Sequence, residues 1–197
     1  AFKAILEDSD GTADVTELVT WSSNSSSVAT VESSGLATSK GVGTCTITAT
    51  YQIDGINIST TVTLMVVNLR IKPENKIISI GSTQQYQAEF TDPTGKVTDV
   101  TPAIDHWSSI KFDASVLAAT ISQSGLATAN NLGFCTIQAT YIFNGVSVTA
   151  STSLTVIKPT LIITPANQTI LLGSEQQYQA TLTDFDGHQT DVTESTI

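Results

Sequence analysis

The sequence predicts an all-β protein made of tandem antiparallel β-sandwiches. Three observations support this prediction. Similar segments recur about every ninety residues along the 197-residue chain, apolar and polar residues alternate within these segments, and Asp-Gly or Asn-Gly dipeptides separate them. Short alternating segments joined by tight turns are typical of sandwiches, and a fixed repeat period indicates stacked copies of one unit. No window shows sustained helical periodicity.

The repeat is defined by two recurrences. Residues 68–101 align with residues 160–193 at an offset of 92, and 19 of the 34 aligned positions are identical. Residues 34–51 align with residues 124–141 at an offset of 90, and both copies contain Gly-Leu-Ala-Thr and Cys-Thr-Ile. The chain therefore contains more than one copy of the same folding unit.

The copies at the two ends are incomplete. Residues 2–6 align with residues 86–90 and 178–182, so the second strand of the unit occurs three times. Because the end copies overlap instead of complementing one another, we expect the chain to be a piece of a longer protein. The expected domains are a first repeat at 1–67 lacking its first strand, a complete second repeat at 68–157, and the first strands of a third repeat at 158–197.

Within the repeats, the strands are identified by alternation. Tyr86, Ala88 and Phe90 share one parity, while Gln87 and Glu89 take the other. A period of two with one apolar side predicts a half-buried strand. The same alternation covers residues 45–51 and residues 62–66. We expect Thr46, Thr48 and Thr50 to face outward.

Turns are predicted between the strands. Both central residues of a type I′ hairpin turn need positive φ, which Asn, Asp and Gly tolerate. The hairpin dipeptides are Asp10-Gly11, Asp54-Gly55, Asn144-Gly145 and Asp186-Gly187. The linkers at 66–69 and 156–159 are short and apolar, which favours a semi-rigid row over freely jointed domains.

Charge and hydropathy exclude several classes of partner. The chain carries 8 basic and 18 acidic residues, for a net charge of −10. An acidic surface repels phosphate backbones, so no nucleic-acid partner is expected. The longest apolar run, at 62–67, is too short to cross a bilayer, so no membrane insertion is expected in this segment.

The motifs, taken as a set, resemble the bacterial immunoglobulin-like domain, group 2. They are Ile163-Thr164-Pro165, Gly173, Gln177-Tyr178-Gln179-Ala180, Asp14-Val15-Thr16, Trp21-Ser22-Ser23-Asn24, Val28-Ala29-Thr30, Gly35-Leu36-Ala37-Thr38 and Gly43-Thr44-Cys45-Thr46-Ile47. The resemblance covers essentially the whole chain and implies tandem immunoglobulin-like antiparallel β-sandwiches. The second repeat departs at 110–113, where the loop after Trp107 is longer. A plain loop insertion is favoured there over a function specific to that repeat.

The resemblance implies a non-catalytic extracellular module. Such domains occur in bacterial adhesins, in cell-wall proteins and in virion proteins of tailed phages. We therefore expect a structural or adhesive segment forming a semi-rigid stalk or fibre of a bacterial surface protein. The alternatives are a phage virion protein of the tail, capsid decoration or fibre, and a subunit of an extracellular filament. Expected partners are neighbouring immunoglobulin-like domains and other protein subunits, with a host or cell-surface protein or glycan as a further candidate.

Two pairs of residues recur at equivalent positions. Cys45 and Cys135 lie on the inward parity of equivalent strands, in separate cores, and neither has a partner cysteine in its own repeat. Two buried free thiols are favoured over a disulfide or a metal site. Trp21 and Trp107 are expected to anchor the packing of their repeats, and an exposed sugar-stacking role is the less favoured alternative.

No catalytic, cofactor-binding or metal-binding residue is predicted. His106 and His188 lie at unrelated positions in their repeats, and no zinc spacing is present. The chain also lacks Gly-x-Ser-x-Gly, the motif of a nucleophilic serine.

The acidic turns leave one alternative open. Asp8, Asp10, Asp184 and Asp186 cluster carboxylates around Asp-Gly turns, and calcium takes six to eight oxygen ligands. The closing glutamate of a full calcium loop is missing, and the second repeat has Asp92-Pro93-Thr94-Gly95 instead. A simple Asp-Gly turn is therefore favoured over a calcium site.

Overall fold

The protein is an all-β chain of short antiparallel sheets, as the sequence predicts. The computed structural model describes residues 1–8, 11–111, 116–184 and 188–194. Within these ranges it contains twenty strands and one short 3₁₀ helix at Thr101–Ala103. Among the described residues, no helix is long and apolar enough to cross a membrane.

Contacts between Cα atoms group the chain into two compact units. One comprises Ala1–Leu69 with Glu89–Asp99, and the other comprises Arg70–Ala88 with Val100–Ile197. The division runs through two strands, β8 (Asn68–Lys72) and β11 (Gln87–Thr91). The domain boundaries expected from the sequence stay a prediction.

The first unit contains three sheets from the first repeat. They pair as β1-β2, β3-β6-β7 and β4-β5. The strands are β1 (Ile5–Asp8), β2 (Gly11–Asp14), β3 (Thr20–Ser23), β4 (Ala29–Val31), β5 (Ala37–Ser39), β6 (Gly43–Ile53) and β7 (Ile56–Val66). This unit also holds β12 (Val97–Asp99), which pairs with β11.

The core of the first repeat comes from the inward parity of β6. Cys45, Ile47 and Ala49 are buried, as their alternation predicts. They belong to two clusters of buried residues: Ala49 packs with Val15 and Val19, and Cys45 and Ile47 pack with Ala29. Trp21 packs against both clusters. Threonines on the opposite parity of β6 face outward because successive side chains of a strand point to opposite sides.

The second unit contains the larger sheets of the second repeat. One has the order β13-β16-β17-β9 and another the order β10-β15-β14. The strands are β9 (Lys76–Ser79), β10 (Thr83–Gln85), β13 (His106–Lys111), β14 (Ala119–Ile121), β15 (Leu126–Ala129), β16 (Gly133–Phe143) and β17 (Val146–Ile157). Strand β9 runs parallel to β17, whereas the other pairs in this sheet are antiparallel.

Two layers of this repeat supply one core. Ile137 and Leu154 come from the four-stranded sheet, and Ala127 comes from the three-stranded one; all three are fully buried. Tyr86 lies between β10 and β11 and is fully buried as well. The predicted inward parity of Tyr86, Ala88 and Phe90 is thus confirmed.

The third repeat forms a three-stranded sheet in the order β18-β19-β20. Its strands are β18 (Thr160–Thr164), β19 (Gln179–Thr183) and β20 (Gln189–Asp191). Thr160 pairs with Thr183 and Thr164 with Gln179, in an antiparallel register. Between β18 and β19, residues 165–178 form no strand.

Two of the four predicted hairpin turns are confirmed. Asp54 and Gly55 have φ of 51° and 79°, and Asn144 and Gly145 have φ of 50° and 77°. These dipeptides connect the longest strand pairs, β6-β7 and β16-β17. The turns at Asp10-Gly11 and Asp186-Gly187 include residues outside the described ranges.

One predicted strand face is less buried than its alternation indicates. In β7, Val62 is 43% exposed, while Leu64 and Val66 are only half-buried. The equivalent positions in β17, Leu154 and Val156, are fully buried beside β9. The difference follows from the neighbouring strand, because no strand of the described chain lies on the outer edge of β7.

Candidate functional site

The two cysteines are structural residues in this fold. Cys45 and Cys135 are both free and buried, which confirms the prediction. They hold equivalent positions, since Cys45 pairs with Leu64 in the first repeat and Cys135 pairs with Leu154 in the second. A buried thiol at such a position packs as a small apolar side chain.

The two tryptophans also pack inside their repeats. Trp107 is 3% exposed, and Trp21 is half-buried with its ring stacked on Phe2 at a centroid distance of 6.3 Å. The Trp21 indole Nε1–H donates to the backbone oxygen of Thr16 at 2.9 Å. Their predicted role as packing anchors is therefore confirmed.

The described acidic turns use their carboxylates to close the turn. Asp92 Oδ1 accepts from the Thr94 hydroxyl at 2.6 Å, from the Thr94 amide at 2.8 Å and from the Lys96 amide at 3.1 Å. These hydrogen bonds lower the pKa of Asp92, and the bond from the Thr94 hydroxyl has the largest effect. At the equivalent turn, Asp184 Oδ1 accepts from the His188 amide at 2.9 Å. The arrangement at Asp92 is an Asx-type turn.

The calcium alternative is not tested by this arrangement. Asp10 and Asp186 lie outside the described residues, as does the side chain of Asp8. Among the described residues, no group of three or more His, Cys, Asp or Glu side chains could hold a metal ion. The favoured reading as turns stays a prediction for these aspartates.

The recurring Asp-Val-Thr motif is a structural clasp. In the first repeat, Asp14 Oδ1 accepts from the Thr16 hydroxyl at 2.6 Å and from the Thr16 amide at 3.0 Å, while Thr16 Oγ1 accepts from the Ala4 amide at 3.0 Å. The Ala180 amide donates to Thr193 Oγ1 at 2.9 Å in the third repeat. The hydroxyl bond to Asp14 is the largest cause of its lowered pKa. The motif thus fastens the loop to the second strand of the repeat.

The clearest candidate interaction surface is the outward face of sheet β3-β6-β7, which we call the hydroxyl face. In its register, Thr20 pairs with Thr50, and Thr50 pairs with Ser59. The next row runs Ser22, Thr48 and Thr61, and the last joins Thr46 to Thr63 beside Asn24. The hydroxyl face consists of Thr20, Ser22, Asn24, Thr46, Thr48, Thr50, Ser59, Thr61 and Thr63.

The hydroxyl face is a regular polar grid. Its rows follow strands about 4.8 Å apart, and successive outward residues lie about 6.7 Å apart along each strand. The β3 and β7 members are exposed and the β6 members are half-buried. Thr50 Oγ1 and Ser59 Oγ lie 3.0 Å apart in a hydrogen bond. Without a carboxylate or a cation among its members, this face suits neutral hydrogen bonding over acid–base chemistry.

The second repeat does not keep this grid. His106, Ile110 and Gln138 stand where the first repeat has Thr20, Asn24 and Thr48. The hydroxyl face is therefore specific to the first repeat. The sequence analysis predicted that the β6 threonines face outward, but it did not combine β3, β6 and β7 into one face. The signal for this face was Ser or Thr at alternate positions in all three segments.

A second surface feature is an apolar groove beside β7. It encloses about 450 Å³. Its lining residues are Ala1, Phe2, Ala37, Ser39, Leu64, Met65, Val66 and Val67. Sequence analysis missed this groove, whose lining residues come from three separate segments of the first repeat.

Comparison with known proteins finds a family match over part of the chain and a similar protein over nearly all of it. Residues 14–52 match the family described as "Intimin, immunoglobulin-like domain". The chain is 36% identical over 202 residues to Ice-binding protein 1 of Shewanella frigidimarina (strain NCIMB 400). This similarity covers 98% of the chain and 22% of that protein. The chain thus spans about a fifth of the length of the curated relative.

Similar solved structures include domains 4–9 of the surface layer protein SbsC, at 16% identity and a TM-score of 0.36. That similarity covers 97% of this chain and 32% of the SbsC chain. Mouse protocadherin-24 EC1-3 is similar at 13% identity and a TM-score of 0.34, over 74% of this chain and 60% of its own.

The immunoglobulin-like assignment rests on the strand arrangement itself, which is an antiparallel sandwich that in the second repeat includes the parallel edge pair β9–β17. The family match agrees with this fold over residues 14–52. Together they indicate an immunoglobulin-like module.

Proposed function

We propose that this chain is a non-catalytic, extracellular stalk segment of a bacterial surface protein. Its tandem repeats would space and present a binding domain carried elsewhere in the same protein. The observation that carries the proposal is the match of nearly the whole chain to only 22% of a longer bacterial protein. A repeated module that fills a limited part of such a protein fits a spacer.

The chemistry of the described residues supports a spacer. The recurring cysteines and tryptophans are buried in the cores, and the recurring aspartates and threonines form turns and clasps. Few of the residues that recur between repeats are therefore left to form a chemical site. The bacterial source of the relative favours a cell surface over a phage particle.

The name of the relative suggests what the stalk presents. We propose that the carried domain binds ice, which makes the chain a spacer in a cell-surface ice-binding protein. A second candidate is favoured by the hydroxyl face: its grid of Ser and Thr hydroxyls could itself order a layer of water. These two proposals place ice binding in different parts of the protein.

One experiment separates them. The natural full-length protein, a version in which an unrelated immunoglobulin-like pair of equal length replaces residues 1–197, and the isolated chain are each tested for uptake into slowly growing ice. The spacer proposal expects uptake of the first two and exclusion of the isolated chain. Loss of uptake in the replacement version would overturn it.

The hydroxyl face has its own control. If the isolated chain enters ice, Thr48→Lys should exclude it, because a long charged side chain breaks the centre of the grid. Thr140→Lys, on the outward face of β16 in the second repeat, should leave uptake unchanged. Equal effects of the two substitutions would contradict the second candidate.

A further inference from the structure

We propose that the second repeat is a force-bearing element, in which the parallel pairing of β9 with β17 resists mechanical pulling. We call this pairing, Lys76–Ser79 with Leu154–Ile157, the shear clamp. A spacer has only to hold its two ends apart, whereas a clamp keeps the repeat folded while the chain is pulled. The proposal rests on the stalk function for the source of the load, but its test measures the second repeat itself.

Chain connectivity determines where a load enters this repeat. The repeat begins with β8 and β9 and ends with β17. A pull along the tandem chain therefore reaches β9 from its N-terminal side and β17 from its C-terminal side. Because the two strands are parallel, these are opposite ends of the shear clamp. The load then pulls the two strands past one another along their length.

This direction of pulling stretches the hydrogen bonds of the clamp together. Hydrogen bonds between parallel strands cross from one strand to the other, so a small slip along the strands lengthens all of them at once. If both strands were pulled from the same end, the bonds would open one after another. The rate of forced unfolding depends on the unfolding barrier, and this barrier is higher when several bonds must break in one step.

Polar hydrogen bonds extend the clamp beyond the N-terminal end of β9. The Asn75 amide donates to Thr152 Oγ1 at 2.9 Å, and the Ser153 hydroxyl donates to Asn75 Oδ1 at 2.8 Å. Thr152 is buried, with an exposure of 7%. Since Asn75 directly precedes β9, the load reaches these bonds first, and they must break before β9 can slip.

Both strands are also anchored on the far side of the clamp. After β9, the Ile80 amide donates to Ile157 O at 2.8 Å, and the Gly81 amide donates to Ala129 O at 2.9 Å. The chain then enters β10, which pairs with β15. Strand β17 is paired with β16 from Val146 onward. A slip of either strand therefore breaks these links as well.

Apolar side chains keep water away from the clamp. Leu154 and Val156 are 0% and 1% exposed. Ile78 lies opposite Val156 and is half-buried. A stretched hydrogen bond that water cannot reach finds no replacement partner, so its loss is not compensated until the strands separate. Burial at this position thus raises the barrier to slip.

Force spectroscopy with two attachment geometries on the full chain tests the proposal. Handles on Glu74→Cys and Lys158→Cys pull the clamp in shear, whereas handles on Ile80→Cys and Lys158→Cys pull both strands from the same end. All three positions are exposed. Both chains carry Cys45→Ala and Cys135→Ala, so that handles attach only at the chosen sites. A gain in extension on the order of 250 Å marks unfolding of the repeat.

The two geometries should differ in the lifetime of the folded repeat. At one constant force, we expect the repeat to stay folded about tenfold longer or more in shear than in the same-end pull, because several hydrogen bonds must break together. Equal lifetimes in the two directions would overturn the shear clamp.

A single hydroxyl provides a second test. Thr152→Val removes the acceptor of the Asn75 amide with little change of shape, and the first repeat has a valine, Val62, at the equivalent position. It should shorten the lifetime in shear about fivefold. The same-end pull opens the clamp from Ile80 and passes its barrier before Asn75 is reached, so its lifetime should not change. Thr149→Val, at an exposed position of β17 outside the clamp, should change neither lifetime.

The directional comparison separates the clamp from general stability. Equal shortening of both lifetimes by Thr152→Val would overturn the role of this residue in the clamp, because it would show that the hydroxyl stabilises the folded core in every direction. Neither contrary result bears on the stalk function, which the ice-uptake experiment tests separately.

Discussion

Equivalent aromatic residues in the two repeats differ in whether their polar atoms are hydrogen-bonded. In the second repeat, the buried Tyr86 hydroxyl and Trp107 Nε1 have no hydrogen-bond partner. In the first repeat, Phe2 occupies the position of Tyr86, and Trp21 Nε1–H reaches the Thr16 carbonyl. A buried donor without a partner loses its bond to water without compensation.

Removing the Tyr86 hydroxyl should therefore stabilise the protein. We expect Tyr86→Phe to raise the free energy of unfolding by about 1 kcal/mol, measured by urea denaturation. Tyr178→Phe is the matched control, since Tyr178 is 43% exposed at the equivalent position and its loss should be neutral. A destabilised Tyr86→Phe variant would show that the hydroxyl has a partner in solution.

The same tyrosine predicts a loss of stability in alkali. Burial raises the pKa of Tyr86 to about 12. The folded state then keeps its proton where the unfolded tyrosine, with a pKa of about 10, has lost it. Stability should thus fall as pH rises from about 10 toward 12. The stability of the Tyr86→Phe variant should fall less in the same titration.

The Asp-Val-Thr clasp should make the first repeat sensitive to acid. The Thr16 hydroxyl bond lowers the pKa of Asp14 below its ordinary value of 3.8. A carboxyl whose pKa is lower in the folded state contributes stability at pH values above its unfolded-state pKa. This contribution is lost as the pH falls through its folded-state pKa. Asp14→Asn should therefore lower the melting temperature at pH 7 and lose its effect in strong acid. Asp54→Asn, in a turn that accepts either residue, should be neutral at both pH values.

At the scale of the element, the link between β10–β11 and β15 depends on a glycine. The Tyr86 amide donates to Gly125 O at 2.8 Å, and a Cβ at Gly125 would lie 2.6 Å from Tyr86 O. Gly35 has the same relation to Phe2, because the Phe2 amide donates to Gly35 O at 2.7 Å. This close approach explains why a glycine occurs at this position in both repeats.

Two alanine substitutions separate backbone strain from this close approach. Gly125 and Gly145 have φ of 80° and 77°, but a Cβ at Gly145 would meet nothing within 4 Å. Gly145→Ala should cost about 1–2 kcal/mol, the price of a left-handed alanine. Gly125→Ala should cost more than about 3 kcal/mol, because a backbone pair must also move apart. Equal losses of unfolding free energy for the two variants in urea denaturation would show that the backbone at Gly125 moves away from Tyr86 without additional cost.

At the scale of the whole molecule, the two cysteines report on the two repeats separately. Cys45 and Cys135 are 2% and 0% exposed, so each thiol reacts only when its repeat opens. Single-cysteine variants, Cys135→Ala and Cys45→Ala, should react with iodoacetamide at different rates. We expect Cys45 to react faster in this 197-residue chain, because no described strand pairs with the outer edge of β7, whereas β9 pairs with β17. Equal rates by mass spectrometry would show that the open groove does not weaken the first repeat.

Much of the fold could be predicted from particular residues. The alternation at Tyr86, Ala88 and Phe90 gave their buried face, and Asp54-Gly55 and Asn144-Gly145 gave the hairpins, because strand faces and tight turns depend on local geometry. The free, buried state of Cys45 and Cys135 followed from their inward parity and their repeat positions.

The candidate surfaces could not be predicted as fully, because they combine segments distant in sequence. Thr20, Thr48 and Thr61 belong to three strands, and only the register places them in one grid. The exposure of Val62 was also mispredicted from its parity, since parity fixes the face of a strand but not whether a neighbour covers its edge.

The sequence by itself thus determined the strands, their turns, the repeat and the inward residues, all of which follow from the local chemistry of the chain and its recurrence. Only the tertiary structure decided which strands pair and in what register: β9 joins β17 in parallel, and Thr20, Thr48 and Thr61 come to lie on one face of sheet β3-β6-β7. The physical reason is that strand pairing joins backbone groups far apart in the chain, and the alternation of residues along one strand does not identify the strand with which it pairs.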